Sequence, residues 1–433
     1  MTLRWDATPA VAPTPARTRT SPVPRVQGRL RDALRVRDFR IALAGSFTSN
    51  IGAWMQTLVI GAFIYERTGS STAVGLVAFM QLGPLLLLPV VGGALASTMN
   101  LRTLLVGAQI EQLVASVVLA VLLLSPDPWL PGIYLCVLAV GIGNALHGPA
   151  WMSALPDLVG PSNIPAAVSM NSAQMNAARV VGPAVAGALY PWIGAAGVVA
   201  TNALTYGFAI VALLLIDLPS AARITGSALR QIGAGFASAR RHRSLGRVLI
   251  GMTLFSLLCL PFTYQLPTIA ARNLDLDING GAYGLLFAAF GFGAVTGAVS
   301  VSALRIFRHR EWVIRIGLVS FAALLLTLAL LRHPGPAYPV IILLGFAYHA
   351  VVTSLNTVLQ MEVDPAERGP VLALWVMAFG GVMPLGLLLG GWLADLISIS
   401  FVLIYGSAVA VLLIAYLWRV PDRGQPVSDT RAP

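Results

Sequence analysis

The sequence predicts an all-α membrane protein of 12 transmembrane helices, and this prediction rests on the composition, the repeated apolar stretches and the positions of the basic residues. Hydrophobic residues make up 57% of the 433 residues and charged residues 10%, whereas soluble domains contain about 25% charged residues. Twelve apolar stretches lie between Ile41 and Leu417, each close to the roughly 20 residues that cross a bilayer as a helix. The chain is therefore expected to lie in a lipid bilayer.

The twelve spans divide into two sets of six, separated by a long basic connection. Breaks at glycine, proline and charged residues set their bounds, which are 41–63, 74–96, 102–124, 131–153, 165–190, 193–216, 247–271, 281–304, 312–331, 337–360, 370–394 and 399–418. We expect a disordered Arg/Pro-rich arm at 1–37, an N-terminal six-helix bundle at 38–217, a basic linker at 218–246, a C-terminal six-helix bundle at 247–418 and a tail at 419–433.

The basic residues predict the orientation, because positive residues near the ends of spans stay in the cytoplasm. All 28 are arginine. They gather in the arm, the linker, the connection after the eighth span and the tail, whereas the opposite side has only Arg67, Arg272 and Arg332. With an even number of spans, both termini are predicted to be cytoplasmic, in a multi-pass protein of the bacterial inner membrane.

The sequence lacks the motifs of several other functions. Without lysine it cannot contain a Gly-Lys-Ser/Thr phosphate-binding loop, and it shows no metal-binding spacing of His, Cys or Glu and no Gly-x-Ser-x-Gly motif. We therefore expect no enzyme activity, no cofactor and no metal. The net charge of +11 is explained by orientation in the membrane rather than by nucleic-acid binding. Cys136 and Cys259 lie inside apolar spans and are expected to fill the core.

The two halves of the chain carry a similar pattern of glycine and proline. The segment 179–187 of the fifth span, around Gly182 and Pro183, resembles the segment 381–390 of the eleventh span, around Pro384. The prolines are separated by nearly half of the transmembrane region. Repeated halves of this kind are typical of secondary transporters, which place their binding site at the interface of the repeats.

Short motifs follow one another in a characteristic order from about Arg37 to Trp418. They are Gly52-Ala53-Trp54-Met55-Gln56, Thr68-Gly69-Ser70, Gly148-Pro149-Ala150, Leu155-Pro156-Asp157, Gly182-Pro183 and Gly284-Leu285-Leu286. In this order they resemble the drug-efflux and siderophore-export branch of the major facilitator superfamily. The resemblance implies two pseudo-symmetric six-helix bundles, a monomer, and export of a small siderophore-like or antibiotic-like amphipathic compound by alternating access with proton antiport.

The loop after the second span departs from the pattern of that family. The family's loop resembles Gly-Gly-x-Leu-Ala-Asp-Arg, whereas this chain has Ser97 in place of the acid and Thr98 in place of the arginine. Since the acid is thought to lock the cytoplasmic gate by charge pairing in the family, the resemblance implies either a weaker lock here or the use of Asp157 with Arg305 or Arg308 in the symmetry-related position. The residues that we assign to this gate are Gly92, Gly93, Ser97, Arg102, Asp157, Arg305 and Arg368.

Polar residues inside a span must face other helices or water, so their helical spacing indicates the faces that line a cavity. Polar stripes lie in the first, fourth, fifth and tenth spans, with a weaker one in the seventh, and the resemblance places the first, fourth, seventh and tenth spans around the cavity. The predicted substrate-binding residues are Asn50, Gln56, His147, Trp151, Asn176, Arg179, His349, Asn356 and Gln360.

Arg179 is the most informative single residue, because an arginine in mid-span costs about 2.5–3.5 kcal/mol when it faces lipid. Glu111, in the third span, is the only acid at a comparable depth. The two either serve substrate and protons or form a structural ion pair. We assign proton coupling to Glu111, His147 and His349, since histidine titrates near neutral pH, with hydrogen-bonded packing as the alternative. Asp395 is expected to be a solvated loop residue.

Two other functions stay open at this point. The same fold supports uptake or lipid flipping, because a fold does not determine function. The altered gate loop is also compatible with a transport-inactive sensor or scaffold. Polar stripes in both halves favour transport, since a scaffold has no need of a polar cavity.

Overall fold

The computed structural model describes residues 30–86, 88, 99–218, 228–303, 310–363 and 367–418, and every regular element in these ranges is a helix. The N-terminal half contains Leu30–Arg35, Arg37–Thr68, Ser71–Leu82, Leu101–Leu123, Leu130–Val159 and Ile164–Leu214. The C-terminal half contains Arg243–Leu254, Leu266–Asn273, Gly281–Ala303, Arg310–Leu330, Pro334–Glu362, Arg368–Val376, Met383–Leu396 and Ile399–Leu417. Between the halves lies the helix Ala228–Arg241.

The helices account for the predicted spans. Nine helices of the described ranges are long and apolar enough to cross a membrane. One of them contains both the fifth and the sixth span, which meet at Gly194 with φ +64° and ψ −178°, a conformation that glycine tolerates best. The second span is described in part, as Ser71–Leu82, and the seventh consists of two shorter helices. The all-α fold of a multi-pass membrane protein is thereby confirmed.

The seventh and eleventh spans are interrupted at related places. Each contains a π-helical turn, Phe255–Cys259 in one and Met377–Gly381 in the other, and a proline, Pro261 or Pro384, follows a few residues later. Proline removes a backbone donor and clashes with the preceding turn, so the wider π turn relieves the clash. Ser256 Oγ in the first interruption donates a hydrogen bond to the carbonyl of Phe379 in the second.

The two bundles meet along two pairs of helices. The second span packs against the eleventh, and the fifth packs against the eighth. Glycine permits close approach at both places, since Gly75 lies against the backbone of Leu387 and Gly187 against Gly284. We call this boundary the seam. We call the side of the loops at 69–70, 124–129, 274–280 and 331–333 the outer side, as the charge distribution predicts.

The linker helix Ala228–Arg241 is attached to the C-terminal bundle. Ser238 Oγ donates a hydrogen bond to Glu367, and Arg241 forms a 2.8 Å ion pair with the same carboxylate. A side chain at Gly235 would lie 2.5 Å from the Pro370 carbonyl oxygen, so the two helices are in close contact. The hydrogen bond from Ser238 and the charge of Arg241 lower the pKa of Glu367 below its ordinary value.

Candidate functional site

Arg179 and His349 meet at the centre of the seam. Arg179 lies in the fifth span and His349 in the tenth, and Arg179 Nη1 is 2.9 Å from His349 Nε2. A guanidinium group can only donate, so His349 Nε2 is the acceptor and the histidine proton lies on Nδ1. Two predicted substrate-binding residues from opposite bundles are therefore in direct contact.

Both side chains retain unused donors. Arg179 Nε and His349 Nδ1 are buried, and neither has a hydrogen-bond partner in the described part of the chain. Among the described residues no carboxylate lies within ion-pair distance of Arg179, and the ion pair with Glu111 that its depth suggested is not formed. The centre of the seam thus holds a positive charge whose near neighbour is a neutral imidazole.

Aromatic rings surround this pair. The Arg179 guanidinium carbon lies 5.2 Å from the centroid of the Trp54 ring, a cation–π contact. The Trp54 ring meets the Phe287 ring edge to face at 6.3 Å, and the His349 ring lies 4.4 Å from that of Tyr348. The site therefore combines one charge with flat apolar surfaces from both bundles.

A second polar group lies within the N-terminal bundle, where three spans meet. Asn50 Nδ2 donates to Gln174 Oε1 at 3.2 Å, and Gln174 Nε2 donates to Asn171 Oδ1 at 3.1 Å. Trp151 Nε1 donates to the same Asn171 oxygen at 2.9 Å, and the His147 ring stacks on Trp151 with centroids 6.3 Å apart. Two of the predicted substrate-binding residues, Asn50 and Trp151, are thus linked through amides that the sequence analysis did not select, and a third, His147, stacks on Trp151.

The remaining predicted substrate-binding residues are separate from these groups. Asn356 Oδ1 accepts a 2.6 Å hydrogen bond from Gln360 one turn along the tenth span. Asn176 donates to the Ser172 carbonyl of its own helix. Gln56 is only 5% exposed and lies inside the N-terminal bundle, where its Oε1 accepts from Ser116 at 3.0 Å and from Asn202 at 2.7 Å.

Glu111 lies between the third and fourth spans. Its Oε2 atom is buried without a hydrogen-bond partner in the described part of the chain, and a side chain at Gly143 would collide with it. The neighbouring Gln112 donates a 2.8 Å hydrogen bond to Asn144. His147 follows Gly143 by one helical turn on the same face, so two predicted coupling residues lie along one helix contact.

The outer end of the seam carries a cluster that we call the outer latch, formed by Asp395, Arg272 and residues 69–72. The Asp395 carboxylate accepts hydrogen bonds from Ser70 Oγ at 2.6 Å and from the backbone N–H groups of Ser71 and Thr72 at 2.9 and 2.8 Å. These residues begin the second span, so an acid of one bundle caps a helix of the other. Asp395 is exposed at the outer end of the eleventh span, as expected, but its contacts with the other bundle were not predicted.

Arg272 and Gln265 complete this connection between the bundles. Arg272 Nη2 lies 3.2 Å from Asp395 Oδ1 and 2.7 Å from the Gly69 carbonyl oxygen, and Gln265 Nε2 donates to the Ser71 carbonyl at 2.9 Å. The sequence predicts the outer latch only in part. The segment Gly69-Ser70-Ser71-Thr72 predicts a helix N-terminus that favours an acidic neighbour, but it does not indicate which acid. The outer ends of the bundles are thus held together by charge and hydrogen bonds.

Three of the predicted gate residues, Arg102, Asp157 and Arg368, lie within the described residues, and none of them has a described hydrogen bond or ion pair across the seam. Arg102 pairs with Asp217 at 3.6 Å and donates to the Ile216 carbonyl, all within the N-terminal bundle. Asp157 and Arg368 are exposed. Gly92, Gly93, Ser97 and Arg305 lie outside the described residues.

The fold and the central site define a transporter of the major facilitator type. A crystal structure of nucleoside transporter NupG is similar with a TM-score of 0.71 at 13% identity, covering 89% of this chain and 99% of that one. The family model of transmembrane secretion effectors matches residues 32–430. The chain therefore belongs to this family of the major facilitator superfamily.

Relatives of known name are efflux and siderophore proteins. Macrolide efflux protein A of Streptococcus pyogenes is 22% identical over 86% of this chain and 93% of its own length. The staphyloferrin A transporter of Staphylococcus aureus is 24% identical over 86% and 94%. The enterobactin exporter EntS of Escherichia coli is 26% identical over 78% and 80%. The predicted resemblance to the drug-efflux and siderophore-export branch is confirmed.

Proposed function

We propose that this protein is a secondary active exporter that moves a small amphipathic compound across the bacterial cytoplasmic membrane. The observation that carries the proposal is the match to transmembrane secretion effectors along nearly the whole chain. The relatives' names supply the direction of transport, since macrolide efflux and enterobactin export both remove a compound from the cell. Siderophore-like and antibiotic-like compounds are accordingly the substrates to test.

Alternating access is the mechanism that the geometry favours. The Arg179–His349 contact joins the fifth and tenth spans at the centre, whereas the outer latch joins the second and eleventh spans at one end. Rocking of the two bundles about a central site requires that the end contacts break and re-form while substrate is held. The outer latch would be closed while substrate enters from the cytoplasm and open when it leaves.

Proton antiport is the proposed energy source, with Glu111, His147 and His349 as the groups that exchange protons. Glu111 has no charged partner among the described residues, so a proton can neutralise it without an ion pair being broken. Its position beside the fourth span links it to the helix that carries His147. Movement of that helix is the proposed connection between proton exchange and the seam.

Purified protein in liposomes with an imposed pH gradient tests this proposal. Siderophores, macrolides and phospholipids are offered in turn, and substrate-dependent proton flux is recorded with a pH-sensitive dye. We expect outward transport with proton counterflow for at least one siderophore or macrolide, and Glu111→Gln to abolish uphill transport while exchange persists. Glu66→Gln, an exposed acid at the outer end of the first span, is the control. Inward transport, lipid movement alone, or no flux with any compound would contradict the proposal.

A further inference from the structure

Arg179 is a cation within the membrane-spanning part of the chain, and its surroundings do not neutralise it. The acids with undescribed side chains all fall in predicted loops or tails; they are Asp6, Glu311, Asp364, Asp422 and Asp429. A charge held in a low-dielectric environment without a counter-charge is costly. Such a group is retained where it has a ligand or a path to serve.

The unused hydrogen-bonding groups of Arg179 and His349 are donors. Arg179 Nε–H and, by the tautomer derived above, His349 Nδ1–H are buried donors without partners in the described structure. Among the described residues, the acceptor used by Arg179 is His349 Nε2. When the two bundles separate at this level, that acceptor leaves and the guanidinium presents its full fork of N–H groups. An oxyanion is the ligand that matches such a fork in geometry and charge.

The side chains that line the site restrict the chemical class of the ligand further. The Trp54 face over Arg179, the Phe287 edge against Trp54 and the Tyr348 ring beside His349 form flat apolar surfaces next to the charge. They suit an aromatic or otherwise flat body attached to the anionic group. A cationic compound would instead meet Arg179 as a like charge.

We propose that the transported compound carries an oxyanion, such as a carboxylate, that binds between Arg179 and His349. This inference rests on the proposed transport function and deepens it. The two residues come from opposite bundles, so an anion that accepts from Arg179 and from His349 Nδ1–H replaces the direct Arg179–His349 contact and joins the bundles through the ligand. Neutral analogues lose the charge-assisted hydrogen bonds, and amines are excluded.

A matched series of one aromatic skeleton tests the inference without knowledge of the natural substrate. Naphthylacetate, naphthylacetamide and naphthylethylamine are titrated into purified protein by isothermal calorimetry. We expect the acid to bind at least about 10-fold more tightly than the amide, the worth of one charge-assisted hydrogen bond, and the amine not to bind. In Arg179→Gln the preference for the acid over the amide should fall below about twofold.

Arg67→Gln is the matched control, because Arg67 also contacts an aromatic ring, that of Phe63, but at the outer end of the first span. It should keep the preference of the natural chain. Equal binding of acid and amide, or no binding of the acid at millimolar concentration, would overturn the inference. If Arg179→Gln does not fold, the series measured on the natural chain still decides.

The proposed function fails in a different way. Transport of neutral compounds in liposomes with no preference for acids leaves the exporter proposal intact and removes the anion site. A preference for the acid in binding, with no transport of any compound, does the reverse.

Discussion

Asp395 and Arg179 are both charged residues of the seam, but they differ in the hydrogen-bond and ion-pair partners that the protein supplies to them. Asp395 accepts hydrogen bonds from Ser70, Ser71, Thr72 and Arg272, and the last of these also supplies the opposite charge. Arg179 has one neutral acceptor. A charge whose partners are supplied by the protein stabilises one arrangement, whereas a charge without them leaves interaction free energy for a ligand.

We expect this difference to give separate roles to the outer end and the centre of the seam. The outer latch is expected to stabilise the closed outer side in the absence of any substrate, because all of its hydrogen bonds are supplied by the chain itself. The centre of the seam contributes little until a compound arrives. Substitutions in the latch should therefore shift the conformational equilibrium, and substitutions at the centre should change selectivity.

The largest effect is expected for Asp395→Ala. The substitution leaves the Ser71 and Thr72 N–H groups and Arg272 without their acceptor, at a cost of about 3 kcal/mol. That cost shifts the equilibrium between the closed and open outer side by roughly 100-fold. Spin labels are placed at the exposed outer positions 127 and 333, one in each bundle. Double electron–electron resonance should then show a new population with a longer distance between the labels.

Asp277→Ala is the control for this experiment, since Asp277 is an outer acid that accepts from Asn279 in its own loop. The native Cys136 and Cys259 are replaced by alanine throughout. An unchanged distance distribution in Asp395→Ala would show that the latch does not hold the outer side closed.

A steric route to the same opening is Gly284→Ala. The added methyl group would collide with Gly187 Cα and lie 3.0 Å from the Pro183 carbonyl oxygen, so the fifth and eighth spans must move apart. Overpacking of this kind costs about 1–3 kcal/mol. We expect the long-distance population to rise by a smaller factor than in Asp395→Ala. Gly335→Ala, whose methyl group meets nothing within 4 Å, should leave the distances unchanged.

The sequence was sufficient for the fold because apolar length and arginine placement are local signals. The break between the fifth and sixth spans was placed at 191–192, and the structure has it at Gly194. The outer latch was not predictable, since Asp395 is 325 residues from Ser70 and no local pattern specifies that pairing. The possible ion pair between Glu111 and Arg179 was suggested by their similar depth in the membrane. It is not formed, because depth alone does not specify which neighbouring helix a side chain faces.

The spacing of polar residues selected Arg179 and His349 separately, without predicting that they meet, and it also selected Gln56, which lies inside the N-terminal bundle. A stripe identifies one face of a helix without saying which neighbour covers that face. For Gln56 these neighbours are the third and sixth spans, from which Ser116 and Asn202 donate hydrogen bonds to its Oε1 atom. Buried amides therefore need their partners to be known before a substrate role is assigned.

Gln56 and Asn356 extend the comparison to uncharged residues. Gln56→Ala removes the acceptor of both Ser116 and Asn202 inside the bundle, so we expect the free energy of unfolding to fall by about 1–3 kcal/mol. Asn356→Ala loses only a contact with Gln360 of its own helix and should change stability by less than about 0.5 kcal/mol. Thermal unfolding in detergent measures both. Equal losses in the two variants would show that the buried, hydrogen-bonded amide of Gln56 contributes no more to the free energy of unfolding than the half-exposed amide of Asn356.

The smallest effect is expected outside the membrane, where Glu367 attaches the linker helix. Because Ser238 and Arg241 lower its pKa in the folded protein, the carboxylate contributes stability that is complete above the ordinary pKa of glutamate. That contribution is lost as the pH falls through the lowered pKa.

The protection factors of residues 233–241, which are hydrogen-exchange rates corrected for the intrinsic pH dependence of amide exchange, should therefore be high and constant near neutral pH and fall in acid. Glu367→Gln should exchange faster at neutral pH and lose most of the acid dependence, whereas Glu362→Gln, an acid at the end of the tenth span, should behave like the natural chain. An acid dependence that persists in Glu367→Gln would assign the attachment to other groups and leave Gly235 packing as its cause.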